Sequence, residues 1–207
     1  GHDPVAPDLP CDDVSATTFD AYADVVCAAL NRRDDDVVVV GHSLGGPTAT
    51  LVAARRPVRH LIYLCAAVPA VGRSLFDQWR EQRDMVNPQW GKGLAEPDEQ
   101  SRTVWVDIDS ARELFYADCD EQIVVAAFDR LRPQSAYPFT APLLLAEFPT
   151  ASSTSIVCTE DQMLNPEWSR RIARDIGADI VELPGSHSPL LSRPSAVADI
   201  LLRAADK

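Results

Sequence analysis

The feature that most constrains the fold is a run of four valines at positions 37–40, followed directly by the residues GHSLGG. β-Branched side chains favour extended backbone, and an apolar run without alternation is typical of a strand buried on both faces of a parallel sheet. Residues 41–45 fit the pattern G-x-S-x-G, which holds a serine in a sharp turn between a strand and a helix. The run therefore predicts a fully buried strand that presents Ser43. We expect a side chain at Gly41 or Gly45 to collide with neighbouring backbone.

The rest of the sequence alternates between β-branched runs and helical periodicities, which indicates parallel β-α-β units and an α/β fold class. The segment 70–150 breaks this alternation and contains a helix-like stretch at 109–131. We interpret 1–69 and 151–207 as the core and 70–150 as an inserted, mainly helical lid. Strands are predicted at 3–10 (short), 37–40, 60–69 and 154–161, a strand with the loop after it at 179–187, and core helices at 17–30, 44–55, 165–178 and 193–207.

Composition limits the classes of function. A chain of 207 residues with 46% hydrophobic content suits one domain with a real core, and no apolar run is long enough to span a membrane. The net charge of −12, without a basic stripe, argues against nucleic-acid binding. Five cysteines without a Cys-x-x-Cys pair, and a start without signal-peptide character, favour a reduced cytoplasmic setting. We expect no metal and no cofactor.

A serine nucleophile needs a base at the same edge of the sheet. His187, in the sequence LPGSHSP, follows a predicted strand and so belongs at the carboxyl edge with Ser43. His60 precedes its strand and belongs at the opposite edge, whereas His2 comes before the serine and His42 packs beside it. His187 is the candidate base because it comes after the serine in the chain and belongs at the same edge of the sheet.

The base in turn needs a carboxylate to orient it. The predicted strand SIVCTED ends with Glu160 and Asp161, and both lie where a carboxylate could reach His187. We favour Asp161, which precedes His187 by 26 residues, a span that accommodates one helix and one strand. Glu160 stays open as the alternative, as does a solvated acidic turn without a catalytic role.

Four stretches carry a resemblance to a known family: GHSLGG, ARELFYADCDEQIVVAAFDRL, SIVCTEDQMLNPEW and ELPGSHSPLLSRP. Together they resemble the α/β-hydrolases, in particular the small branch of methyl-ester esterases, hydroxynitrile lyases and bacterial esterase-like relatives. The resemblance implies a mostly parallel sheet flanked by helices, with a helical lid. It also implies Ser43 as nucleophile, His187 as general base and acid, Asp161 as orienting carboxylate and the Leu44 amide as an oxyanion donor.

The sequence departs from this family at two points. Hydroxynitrile lyases of the branch carry a lysine after the catalytic histidine, whereas Ser188 stands here, which favours ester hydrolysis. Such proteins also have a central strand and a His-Gly-type loop upstream of the point where this sequence begins, and that loop gives a second oxyanion amide. The resemblance therefore predicts that this strand and loop are absent from residues 1–207, and that the open sheet edge favours a homodimer or a strand-exchanged oligomer.

The predicted function is cleavage of small to medium carboxylic esters by a serine hydrolase. Two alternatives stay open: a lyase that cleaves carbon–carbon bonds or cyanohydrins with the same residues, and a non-catalytic ligand-binding or interaction protein. Aromatic side chains of the lid either line an apolar substrate pocket or simply pack the lid. The candidate pocket residues are His42, Trp105, Phe115 and Tyr116.

Overall fold

The computed structural model describes residues 2–30 and 36–206. The first part of the core consists of α1 (Phe19–Ala29), β1 (Val38–His42), α2 (Gly45–Arg55) and β2 (His60–Leu64). The segment that follows contains α3 (Leu75–Glu81), a 3-10 turn (Trp90–Gly93), β3 (Arg102–Thr103), α4 (Ile108–Phe115), α5 (Glu121–Phe128), β4 (Gln134–Ser135) and α6 (Tyr137–Thr140). The chain then forms β5 (Ser153–Cys158), α7 (Pro166–Asp175), β6 (Asp179–Leu183), α8 (Pro189–Ser192) and α9 (Pro194–Ala205).

The central sheet has the strand order β1-β2-β5-β6, and every pair in it is parallel. The register aligns Val40 with Ile62 and Ile62 with Thr154. Parallel strands end at one edge of a sheet, so the loops after β1, β5 and β6 lie together. The fold thus brings Ser43, Asp161 and His187 to the same edge.

Successive side chains of β2 pack on opposite faces of the sheet. Leu61 and Tyr63 belong to a cluster with residues of α1, α2 and α7, whereas Ile62 and Leu64 belong to a cluster with residues of α9. This two-residue period is the expected geometry of a strand covered by helices on both faces. All five residues of β2 are buried, and the sheet is fixed between two apolar layers.

Two predictions about the sheet are wrong. Residues 3–10 are irregular rather than a short strand. Strand β1 is not fully buried, because within the described ranges it pairs only with β2 and leaves Val40 40% exposed. An apolar groove of about 470 Å³ runs beside β1, between its valines and the irregular segment that contains Val5 and Leu9.

The predicted helix at 109–131 is two helices, α4 and α5, separated by a turn at residues 116–120. The Tyr116 oxygen accepts a hydrogen bond from the Cys119 amide at 2.9 Å, and Asp120 precedes α5 in an extended conformation that ends helical propagation. A small core of Ala111, Tyr116 and Val124 forms between the two helices. The limits of the lid at 70 and 150 stay a prediction. Within residues 2–30 and 36–206, no helix has both the length and the apolarity needed to cross a bilayer.

Candidate active site

Ser43 occupies a strained turn between β1 and α2. Its φ of 52° lies in the left-handed region, which a residue with a side chain adopts at a cost of about 1–3 kcal/mol. Three main-chain hydrogen bonds hold the turn: the Ser43 amide donates to Leu64 O at 3.2 Å, and the Ser43 oxygen accepts from Gly46 N at 3.2 Å and from Ala67 N at 3.0 Å. The strain is therefore balanced by contacts with the end of β2 and the loop after it.

Two glycines allow the chain to pack this closely. A Cβ at Gly41 would lie 2.8 Å from the main-chain oxygen of Gly45, and a Cβ at Gly46 would overlap the main-chain oxygen of Ala67. The prediction of close approach is confirmed at Gly41. It is wrong at Gly45, where a Cβ would meet nothing within 4 Å outside its own helix and chain neighbours, and Gly46 is the crowded position instead.

His187 follows β6 and lies between Ser43 and Asp161. Its Nε2 is 2.8 Å from Ser43 Oγ, and its Nδ1 is 2.9 Å from Asp161 Oδ2. The His187 and Asp161 side chains are only 2% and 4% exposed, so bulk water barely competes for these bonds. With Nδ1–H donating to the carboxylate, Nε2 is free to accept the serine proton, which is the arrangement that activates a serine.

The loop after β5 holds the Asp161 carboxylate in place. Its Oδ1 accepts hydrogen bonds from Met163 N at 2.8 Å and Leu164 N at 3.0 Å, which leaves Oδ2 directed at His187. Glu160, the alternative from the sequence, has an exposed side chain. The geometry therefore brings Asp161 and not Glu160 to the histidine.

His42, the last residue of β1, also contacts His187. Its Nε2 donates to the main-chain oxygen of His187 at 2.9 Å, and the two rings lie 5.1 Å apart between centroids. The pKa of His42 is lowered to about 4, mainly by burial and to a smaller extent by the nearby charge of the His187 ring. His42 is thus neutral near pH 7 and serves as a hydrogen-bond donor to the main chain of the base.

Leu44 follows the serine as the residue before α2, with φ −65° and ψ −10°. Amides at the start of a helix carry partial positive charge, so this position suits a donor to a developing oxyanion.

The three lid aromatics among the candidate pocket residues pack around one small core but differ in their distance from His187. The Phe115 ring lies 5.7 Å from the His187 ring and 4.8 Å from the Trp105 ring. Tyr116 is 6% exposed and packs in the small core between α4 and α5. Among Trp105, Phe115 and Tyr116, Phe115 is therefore the residue whose ring lies next to the His187 ring.

A contact that could not be predicted from the sequence joins the lid to the loop that carries His187. Ser186 Oγ donates to Asp118 Oδ1, and Arg193 Nε lies 3.4 Å from Asp118 Oδ2. Nothing in the local sequence pattern of Asp118 distinguishes it from the other acidic residues of an acidic chain.

Cys65, directly after β2, is not a competing nucleophile. Cys65 and Cys158 are both buried. The pKa of Cys65 is raised far above its ordinary value, mainly by the hydrogen bond between the two thiols and next by burial. Such a thiol stays protonated and unreactive. Across the described part of the chain, no group of three or more His, Cys, Asp or Glu side chains is arranged to hold a metal ion.

The chain is similar in sequence and in fold to known proteins. Residues 1–200 match the family described as the alpha/beta hydrolase family. An α/β hydrolase of Aspergillus novofumigatus is 30% identical over 85% of this chain and 72% of its own length. A pyrethroid hydrolase of Sphingobium wenxiniae is 26% identical over 93% of this chain and 72% of its own. The crystal structure of polyneuridine aldehyde esterase shares the fold, with a TM-score of 0.75 and 18% identity over 92% of this chain and 80% of that one.

Proposed function

The chain belongs to the alpha/beta hydrolase family, and on that premise we propose that it hydrolyses small to medium carboxylic esters through an acyl-enzyme on Ser43. The observation that carries the proposal is the continuous hydrogen-bonded series from Ser43 through His187 to Asp161. The named activities of the relatives support it, since one is a pyrethroid hydrolase and another an esterase.

Acylation begins with attack of Ser43 Oγ on the ester carbonyl. As the new C–O bond forms, the hydroxyl proton moves to His187 Nε2, which lies 2.8 Å away. The resulting imidazolium is stabilised by Asp161, whose carboxylate receives the Nδ1–H bond at 2.9 Å. His187 then gives the proton to the leaving alcohol as the ester C–O bond breaks.

The negative charge on the tetrahedral oxygen needs hydrogen-bond donors. The Leu44 amide, next to the nucleophile at the start of α2, is the donor we assign. Each oxyanion donor contributes about 2.7–4 kcal/mol of transition-state stabilisation. Because Leu44 directly follows Ser43, the attacking oxygen and this amide belong to adjacent residues of the turn into α2.

Deacylation repeats these steps with water. His187 accepts a proton from a water molecule that attacks the acyl-enzyme, and it then returns a proton to Ser43 Oγ as the acid leaves. The net reaction consumes one ester and one water and yields an acid and an alcohol. None of these steps requires a metal or an organic cofactor.

The direct test is covalent labelling of Ser43. Wild-type protein should react with a fluorophosphonate probe, and Ser43→Ala should not, because the attacking oxygen is gone. Ser74→Ala is a matched control, since Ser74 is a helix N-cap remote in sequence from Ser43. Equal labelling of wild type and Ser43→Ala would overturn the assignment of the nucleophile.

Two further assays distinguish esterase activity from the alternatives. Turnover of p-nitrophenyl esters of increasing chain length would define the substrate size. Release of cyanide from mandelonitrile would instead indicate a lyase, which the neutral Ser188 beside His187 disfavours. Ester binding without turnover or labelling would identify a non-catalytic binding protein.

A further inference from the structure

The base of the proposed reaction is carried by a short loop, residues 184–188, which we term the base loop. Two hydrogen bonds anchor it from the core side: Glu160 N donates to Gly185 O, and His42 Nε2 donates to His187 O; a third, from Thr159 N to Leu183 O, holds the end of β6 just before it. These contacts fix the two ends of the loop. The side of the loop at Ser186 faces the lid.

On that side the loop meets Asp118, which lies in the turn between α4 and α5. Ser186 is completely buried, and its hydroxyl donates to Asp118 Oδ1. Arg193, just after α8, faces the other carboxylate oxygen at 3.4 Å. A buried hydroxyl that loses its acceptor is costly, so this bond ties the residue next to His187 to the lid.

The packing around the carboxylate is close. Gly185 has a φ of +125°, and a Cβ there would lie 2.6 Å from Asp118 Oδ2 and 2.7 Å from Arg193 Nε. The base loop therefore packs so closely against the Asp118 and Arg193 side chains that no methyl group fits at Gly185 unless these side chains move. A displacement of Asp118 toward the loop would meet Gly185, which lies two residues before His187.

The charge state of Asp118 suits this role. Burial raises its pKa, but the hydrogen bond from Ser186 and the charge of Arg193 are among the contacts that lower it, and the net effect is a pKa below the ordinary value. The carboxylate is therefore ionised near neutral pH, and its bond to the Ser186 hydroxyl is charge-assisted.

We propose that Asp118 is a positioning residue that holds the base loop in register with Ser43 and couples His187 to the lid. The proposal rests on the proposed esterase function, because it concerns the geometry of the same base. Asp118 touches neither Ser43 nor the His187 ring in the contacts described above, so it acts through Ser186 and the loop backbone. A displacement of about 1 Å in a catalytic group costs up to about 100-fold in rate, so the expected effect is measurable.

The experiment compares rates of labelling by a small fluorophosphonate whose short alkyl group limits its contacts with the lid. Asp118→Ala and Ser186→Ala should each lower the second-order labelling rate by about 10- to 100-fold. The double variant should be no slower than the slower single variant, because both changes break one contact. Asp118→Asn keeps an acceptor for Ser186 and should recover most of the rate.

The matched control is Asp107→Ala. Asp107 is the N-cap of α4, accepting from Asp109 N and from the Ser110 hydroxyl, and its loss weakens the lid without removing a contact of the base loop. If Asp107→Ala slows labelling as much as Asp118→Ala, or if Asp118→Ala labels at the wild-type rate, Asp118 is a lid-packing residue and the proposal is wrong.

A second measurement separates this outcome from failure of the proposed function. Hydrogen exchange of amides 185–188 should accelerate in Asp118→Ala and stay at the wild-type rate in Asp107→Ala, whether or not the protein hydrolyses esters. A wild-type chain that is never labelled would refute the esterase proposal alone. Unchanged exchange of the base loop in Asp118→Ala would refute the positioning role alone.

Discussion

His42 donates a hydrogen bond from Nε2 to the main-chain oxygen of His187 at 2.9 Å and thereby connects the end of the nucleophile strand to the residue proposed as the base. In this bond Nε2 carries the proton, so the neutral ring has no proton on Nδ1. Charging the ring would place a cation in a partly buried position close to His187, which explains why the pKa of His42 is lowered to about 4. A neutral His42 is thus part of the native structure.

We expect the stability of the protein to fall as the pH drops below the ordinary histidine range. The pKa of His42 is about 4 in the native state against 6.5 for a free histidine, so between these values the unfolded chain binds a proton that the native protein does not. Above pH 6.5 the neutral His42 makes its whole contribution to the free energy of unfolding. This contribution decreases as the pH falls from 6.5 to about 4, by at most about 3 kcal/mol.

Urea unfolding of wild type and His42→Gln at several pH values in this window measures the effect. The glutamine amide cannot protonate, so the variant should lose less stability than wild type as the pH falls. His2→Gln, at an exposed position, is the control and should follow the wild-type curve. Parallel curves for wild type and His42→Gln would show that His42 is not the group responsible.

The two acidic residues after β5 should differ sharply in their effect on catalysis. Asp161→Asn keeps the shape of the side chain but removes the charge that stabilises the imidazolium, and a loss of about 10⁴-fold in kcat is expected. Glu160→Gln should stay near the wild-type rate because its side chain is exposed and the contact to His187 Nδ1 comes from Asp161. Steady-state kinetics on one activated ester checks both, and a larger loss in Glu160→Gln would reverse the assignment.

The sequence predicts the elements around the site because each has a local signal. The valine run marks β1, the glycines around Ser43 mark the turn, and strand-end positions indicate His187 and the pair Glu160 and Asp161, between which the sequence left the choice open. Burial of β1 could not be predicted in the same way, since an apolar run does not reveal whether a second strand pairs with it. Val40 is exposed because β1 pairs on one side only among the described residues.

Contacts between distant segments leave no local pattern at all. The bond between Ser186 and Asp118 joins residues 68 positions apart, and neither residue type is unusual in its own segment. The crowding at Gly46 likewise depends on the loop after β2, specifically on the main-chain oxygen of Ala67. Such contacts are determined by tertiary packing, whereas periodicity reports only which face of an element is apolar.

Neighbouring glycines at the start of α2 should respond oppositely to alanine. Gly46→Ala forces a methyl group onto the main-chain oxygen of Ala67, and a loss of several kcal/mol of unfolding free energy is expected, since the adjoining loop cannot shift without moving the turn. Gly45→Ala has open space and a helical position, and should change stability by less than about 1 kcal/mol, toward greater stability. Thermal or urea unfolding of the two variants measures the contrast, and equal destabilisation would contradict the packing described at Gly46.

The last prediction concerns Phe115, whose ring lies 5.7 Å from the His187 ring and contacts Trp105. If the ring borders the bound ester, Phe115→Ala should lower kcat/KM for an octanoate ester by about 10-fold or more, because an apolar chain loses its contact surface, and should affect an acetate ester little. Tyr116→Phe is the matched control, since Tyr116 packs in the small lid core and the change preserves its ring. An equal loss on both esters would instead mean that Phe115 supports the histidine rather than the substrate, because a displaced base slows every ester alike.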